Sequence, residues 1–184
     1  VTYTDAHGKA LIDVDVANAI NQAAFKISNK YNIPVPTIAP TATEAPMTAS
    51  SRGINYQSKY WTGAKKHRMT EYLETAGGTA GASNSVLRYA THETAHVLGG
   101  RSTGTRQVIR MHVNAYRETV GEAAVRKQLG DYAWRGSITS DIRDAWSETW
   151  AEAFSVYETR KADLPSAARR MVEDIISDLW PQAR

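Results

Sequence analysis

Five consecutive residues, His92-Glu93-Thr94-Ala95-His96, constrain this chain more than any other feature. They read H-E-x-x-H. Two histidines four apart on a helix project from nearly one face, because four residues turn the chain by about 400°. Such a face presents two imidazoles to one tetrahedral zinc ion. The glutamate between them stands to one side, where it can take a proton from an activated water. The segment from Ser85 to Leu98 is largely apolar around the motif, which predicts a helix buried on most of its surface. Buried His and Glu need partners, and a metal ion is a good one. Ser83 or Ser85 is placed to cap the helix, and Gly99-Gly100 to end it with a left-handed residue. The pattern points to metal-assisted hydrolysis, most often of a peptide bond.

A catalytic zinc keeps three protein ligands and one open position, so a third ligand must come from elsewhere. Ser102 stands six residues past His96, where a third histidine would complete one known pattern, and the chain has no cysteine. A downstream glutamate on a second helix remains. The segment Asp144 to Tyr157 reads as that helix, with Glu148 and Glu152 four apart on one face. Trp150, Phe154 and Tyr157 recur at helical spacing and are expected to pack inward, with Trp146 beside them.

H-E-x-x-H followed some fifty residues later by Glu148-Thr149-Trp150-Ala151-Glu152-Ala153-Phe154 resembles the gluzincin metallopeptidases. The nearest group includes the anthrax lethal factor catalytic domain and many phage- and toxin-associated zincins. The resemblance rests on two helices, about thirty residues in all. It implies that His92, His96 and Glu148 bind Zn2+, that Glu93 is the general base, and that Glu152 stands behind the metal and orients a ligating histidine, His92. One departure matters. Members of that group often carry a tyrosine seven residues before the zinc-binding glutamate, and Asp141 occupies that place here. Tyr132, Arg143, His112 and Tyr89 are the candidates to replace it as oxyanion donor, while Ser140 or Asp141 is placed to cap the Glu148 helix. The resemblance also suggests a secreted or virion-associated setting.

At 184 residues the chain is long enough for one domain with a real core. No apolar run is long enough to span a membrane, and the start shows no charged-then-apolar leader. A first residue Val1 fits a processed product or an excised part of a longer polypeptide or virion protein. The absence of cysteine removes disulfides and thiol catalysis together. A net charge of +3 is mild. The cluster Lys65-Lys66-His67-Arg68 reads as solvated surface, without the broad basic stripe that nucleic acid would require.

The rest of the chain supplies the scaffold. Asp13 to Asn32 is predicted as an amphipathic helix capped by Asp13 or Asp15, and Ile33 to Pro40 as an extended edge strand or connector. Thr41 to Gly53 reads as a loop, Ile54 to Trp61 as a strand, Thr62 to Lys65 as a turn and Arg68 to Leu73 as a second strand. One of these strands is a candidate to pair with extended substrate beside the metal. Gly77 to Ala82 reads as a loop without phosphate-binding spacing. Arg101 to Thr105 is expected as a loop and Arg106 to Tyr116 as a helix. Thr119 to Glu122 resembles a capping box before a helix over Ala123 to Leu129, and Gly130 ends that helix. Asp131 to Gly136 reads as a connector, and a last helix runs from Leu164-Pro165 to Trp180.

These expectations add up to one α+β, mostly helical, zincin-like domain over residues 1–184, with a small mixed or antiparallel sheet. The expected activity is zinc-dependent endopeptidase action on a protein or peptide substrate, with no nucleic-acid or membrane partner. Two alternatives carry the same motifs: a non-catalytic zinc-bound interaction module of a phage or toxin particle, and a zinc hydrolase of a non-peptide amide.

Overall fold

The computed structural model describes residues 11–42, 44–76, 85–135 and 145–183. The architecture is α+β and mostly helical. In chain order it comprises α1 (Val14–Tyr31), β1 (Thr37–Pro40), β2 (Met47–Ala49), β3 (Gly53–Tyr56), α2 (Gly63–Ala76), α3 (Ser85–Gly100), α4 (Thr103–Val120), α5 (Glu122–Leu129), α6 (Asp131–Arg135), α7 (Trp146–Arg160) and α8 (Ser166–Leu179). The sheet is mixed, in the order β1-β3-β2, with β1 parallel and β2 antiparallel to β3. None of the described helices is long and apolar enough to cross a membrane.

The centre of the arrangement is α3, which carries H-E-x-x-H. It lies between two apolar clusters. Ala95 and Leu98 face a larger one built by α4, α7 and α8, with Trp150, Phe154, Val172 and Ile175. Ala90 and Val97 face a smaller one built by α1 and the sheet, with Ile20, Ile54, Tyr56 and Trp61. A helix covered on both sides must be apolar around most of its circumference, which is the pattern the sequence carries. Thr91 and Thr94 are buried too, and each donates its hydroxyl to the carbonyl four residues earlier, on Leu87 and Ala90, so neither is left unpaired.

Several local expectations change. Gly99 and Gly100 do not terminate α3 with a left-handed residue; the helix runs through both. Their smallness serves close approach instead. A Cβ on Gly99 would lie 3.4 Å from the Trp150 indole nitrogen, and one on Gly100 would lie 3.3 Å from Ser51 Cα. Of Arg101 to Thr105 only Arg101 and Ser102 form the connection, because Ser102 Oγ accepts the Thr105 amide and starts α4 at Thr103. No capping box forms at Thr119. Its hydroxyl donates to the Ala115 carbonyl, and Gly121 (φ 77°) makes the break before α5. Neither Asp13 nor Asp15 caps α1 through a side-chain bond as expected. Asp13 holds the cap position without one, and both carboxylates pair with Lys66.

Arg68 to Leu73 is helix, not strand, and the expected turn before it starts the same helix, α2. A run rich in Ala, Lys, Arg, Met, Glu and Leu favours helix, and six residues of partial alternation cannot outweigh it. Thr41 to Gly53 is not all loop, since Met47–Ala49 pairs with β3 through Met47↔Tyr56 and Ala49↔Ile54. Asp131 to Arg135 forms one helical turn, α6, packed on α7, instead of a connector. The readings at Gly77 to Ala82, Ser83, Ser140, Asp141 and Arg143 fall outside the described residues.

β1 comes so close to β3 that a Cβ on Gly53 would sit 2.4 Å from the Thr37 carbonyl oxygen. Gly53→Ala is therefore expected to lower stability by about 1–3 kcal/mol, as overpacking against backbone does. Thermal unfolding checks this, and an unchanged Tm would contradict the close approach.

Candidate metal centre

Two helices build the site. From α3 come His92 and His96, one turn apart. From α7 comes Glu148, in the first turn of that helix. Their docking is fixed by Trp150, 1% exposed, whose indole N–H donates to the Ala95 carbonyl at 3.0 Å. That bond lands between the two motif histidines, and glycine at position 99 leaves room for it. The aromatic residues that the periodicity placed inward do pack there: Trp146, Trp150 and Phe154 belong to the larger core, with Tyr157 against it.

The three candidate ligand atoms converge. His92 Nε2 and His96 Nε2 are 3.1 Å apart, and Glu148 Oε2 is 3.2 Å from each. Donors about 2.0–2.1 Å from one zinc at tetrahedral angles would be spaced about 3.3–3.4 Å from each other, so the triangle is close to one face of such a tetrahedron. Two imidazoles and one carboxylate also match the chemistry of a divalent transition-metal site. The group His92, His96 and Glu148 can thus hold a metal ion. The remaining face opens on a cleft of about 640 Å³, lined by Glu93, Tyr89, Tyr132, Trp146 and the β2 residues Met47 to Ala49, among others. The strand beside the three candidate ligands is therefore β2, from a segment read as loop, and neither of the two strands that the sequence suggested.

Outside this triangle, His92 Nδ1 lies 3.1 Å from Glu152 Oε1. The contact is close but not well aligned as a hydrogen bond. Glu152 Oε2 accepts from Arg88 Nη2 at 2.6 Å. Arg88 is a residue that sequence reasoning missed. Its signal was its place four residues before His92, on the same face of α3.

Electrostatics follows from burial and crowding. Burial pushes the Glu93 carboxyl up to about 7, against the pull of His92 and His96 and with a further push from Glu148 and Glu152. Burial alone would push His92 down, but Glu152, Glu148 and Glu93 outweigh it and hold the imidazole well above its usual value. Glu148 moves the other way: despite burial, the two histidines hold it well below the usual carboxylate range. Glu152 is likewise held low, by His92 and Arg88 acting against burial.

The proposed oxyanion donors separate. Tyr132, on α6 and 47% exposed, lines the cleft with its ring 6.1 Å from that of His92. Tyr89 also lines the cleft, but its hydroxyl donates to the Met47 carbonyl and ties α3 to β2. His112 does not reach the cleft. It pairs with Asp178 of α8 at 2.8 Å, because its face of α4 packs on α8. Arg143 lies outside the described residues. No protein-family model, no curated protein and no solved structure matches the chain.

Glu93 yields a test of sign. A carboxyl whose folded pKa is raised makes folding less favourable once it ionises. The loss begins above the ordinary value of 4.5 and is complete above about 7. The metal-stripped Glu93→Gln protein is expected to be more stable than metal-stripped wild type by about 1–3 kcal/mol at pH 8, with the difference vanishing near pH 4.5. Denaturant unfolding at the two pH values measures it; an advantage confined to low pH would contradict the assignment.

Proposed function

We propose that this chain is a zinc-dependent endopeptidase of the gluzincin type, acting on protein or peptide substrates. One observation carries the reading: His92, His96 and Glu148 close on a single point, with Glu93 beside them in the same open cleft. A metal ion held there would supply Lewis acidity, polarising a carbonyl and easing the deprotonation of water.

The chain's own residues do the rest. Glu93 receives the proton of the attacking water and returns it to the leaving amine. Its raised pKa suits both transfers near neutral pH, and a neighbouring dication would favour the ionised form needed to start. A purely structural site would have no use for a carboxyl placed in this way. Glu152 orients His92 from the far side of the ring. Tyr132 is the donor we assign to the developing oxyanion, since it lines the cleft with its ring 6.1 Å from that of His92, whereas the Tyr89 hydroxyl is committed to Met47 and His112 to Asp178. The edge strand β2 borders the same cleft, where an extended substrate can add as a further strand.

Cleavage of an unfolded protein substrate, followed by product mass spectra, tests this reading. Glu93→Gln is expected to retain metal and lose about 10²–10⁴-fold in kcat. Tyr132→Phe is expected to lose about 10²-fold in kcat with little change in KM. Full peptidase activity in a clean Glu93→Gln preparation would remove Glu93 as the base. Full activity in Tyr132→Phe would remove the phenol from the mechanism.

A further inference from the structure

Glu148 and Glu152 are the same residue type, one turn apart on the same face of α7, yet only Glu148 points into the ligand triangle. The difference lies in what meets each carboxylate. Glu148 faces the two Nε2 atoms. Glu152 has both oxygens engaged: Oε1 stands against His92 Nδ1 at 3.1 Å, and Oε2 accepts from Arg88 Nη2 at 2.6 Å. Arg88, His92 and His96 recur every four residues along α3, and Glu148 and Glu152 do so along α7. Arg88 meets Glu152 and His96 meets Glu148, so the contacts run in opposite chain directions. The result is a ladder in which a salt bridge forms the outer rung and the metal ligands form the inner ones.

We propose that Arg88 is a positioning residue that assigns the two carboxylates their separate roles, holding Glu152 against His92 Nδ1 and off the metal through the Arg88–Glu152 pair. The proposal rests on the metal-site reading above. The physical case is local. The pair is largely withdrawn from water, with side-chain exposures of 11% for Arg88 and 16% for Glu152, so it is ordered and only weakly screened. A charge-assisted bond from a planar guanidinium fixes the plane of the carboxylate as well as its place. With its plane fixed, Glu152 presents Oε1 to His92, which favours the proton on Nδ1 and leaves Nε2 free to ligate. Without Arg88, Glu152 would be a half-paired carboxylate next to a dication, free to turn toward it and release His92.

The test is zinc affinity of the folded chain, by competition with a chromophoric chelator. The proteins compared are wild type, Arg88→Gln, Arg88→Lys, Glu152→Gln and the double Arg88→Gln/Glu152→Gln. Thermal unfolding of each serves as the fold check. Arg88→Gln is expected to weaken zinc binding about 10–100-fold. Arg88→Lys, which keeps the charge but not the fork, recovers part of that loss. The double variant should bind no more weakly than the weaker single one, because both changes break one linkage. The visible spectrum of the cobalt(II)-loaded Arg88→Gln protein is expected to differ from that of wild type, because its ligand set has changed. Wild-type affinity and spectrum in folded Arg88→Gln would overturn the proposal, and so would losses that multiply in the double variant. If Arg88→Gln does not fold, Arg88→Lys carries the comparison: weakening by about threefold or more supports the proposal and wild-type affinity contradicts it. A wild-type chain that takes up no divalent ion would remove the metal reading itself, whereas normal uptake with an indifferent Arg88 removes this inference alone.

Discussion

Everything in this site depends on how α7 sits against α3. The two helices supply every ligand atom, and neither has the set by itself. Their relative position is held by a buried indole bonded to a helix carbonyl, Trp150 to Ala95, at a level between His92 and His96. Gly99 lies against the same indole, where a Cβ would stand 3.4 Å from the Trp150 nitrogen and 3.3 Å from Ile109 Cδ1. A shift of one residue along α7 would turn Glu148 off the triangle. The convergence of the three candidate ligands is therefore a consequence of core packing, since Ala95, Trp146 and Trp150 beside them belong to the larger apolar cluster.

That placement has a thermodynamic side. Three glutamates and two histidines crowded into a half-buried region would weaken most folds, because unpaired buried charges are costly. Here each has an answer. Glu148 is held charged by the imidazoles, and Glu152 by His92 and Arg88. Glu93 is the exception. It lines the cleft with its carboxyl raised toward neutrality, where Glu148 and Glu152 are held charged. Buried beside the cleft with its carboxyl raised, Glu93 has the setting that the proposed role of proton carrier requires.

The sequence made the H-E-x-x-H helix legible because its signal is short-range. His92, Glu93 and His96 are fixed relative to each other by one turn of helix, and the same holds for Glu148 and Glu152. Their bringing together across some fifty residues was not legible from spacing; it came from a resemblance, and the convergence of the three ligand atoms now gives it a geometric footing. Short elements were harder. β2 is three residues long and exists because β3 pairs with it, so nothing inside Met47-Thr48-Ala49 announces a strand. The partial alternation of Arg68 to Leu73 was too short to distinguish strand from helix, and helix formers decided it. Tyr132 lies in the cleft because α6, a single turn that the sequence did not announce, carries it there. Arg88 went unseen because a lone arginine on a buried helix has no motif, only a partner that appears after folding.

The central claim is that one divalent ion sits among His92, His96 and Glu148. The direct measurement is metal content per chain by elemental mass spectrometry, on wild type and Glu148→Ala side by side, after equilibration with zinc and removal of excess. The account requires close to one zinc per wild-type chain and a large loss in a folded Glu148→Ala protein. Wild type without metal, or full zinc retained after Glu148→Ala, would contradict it.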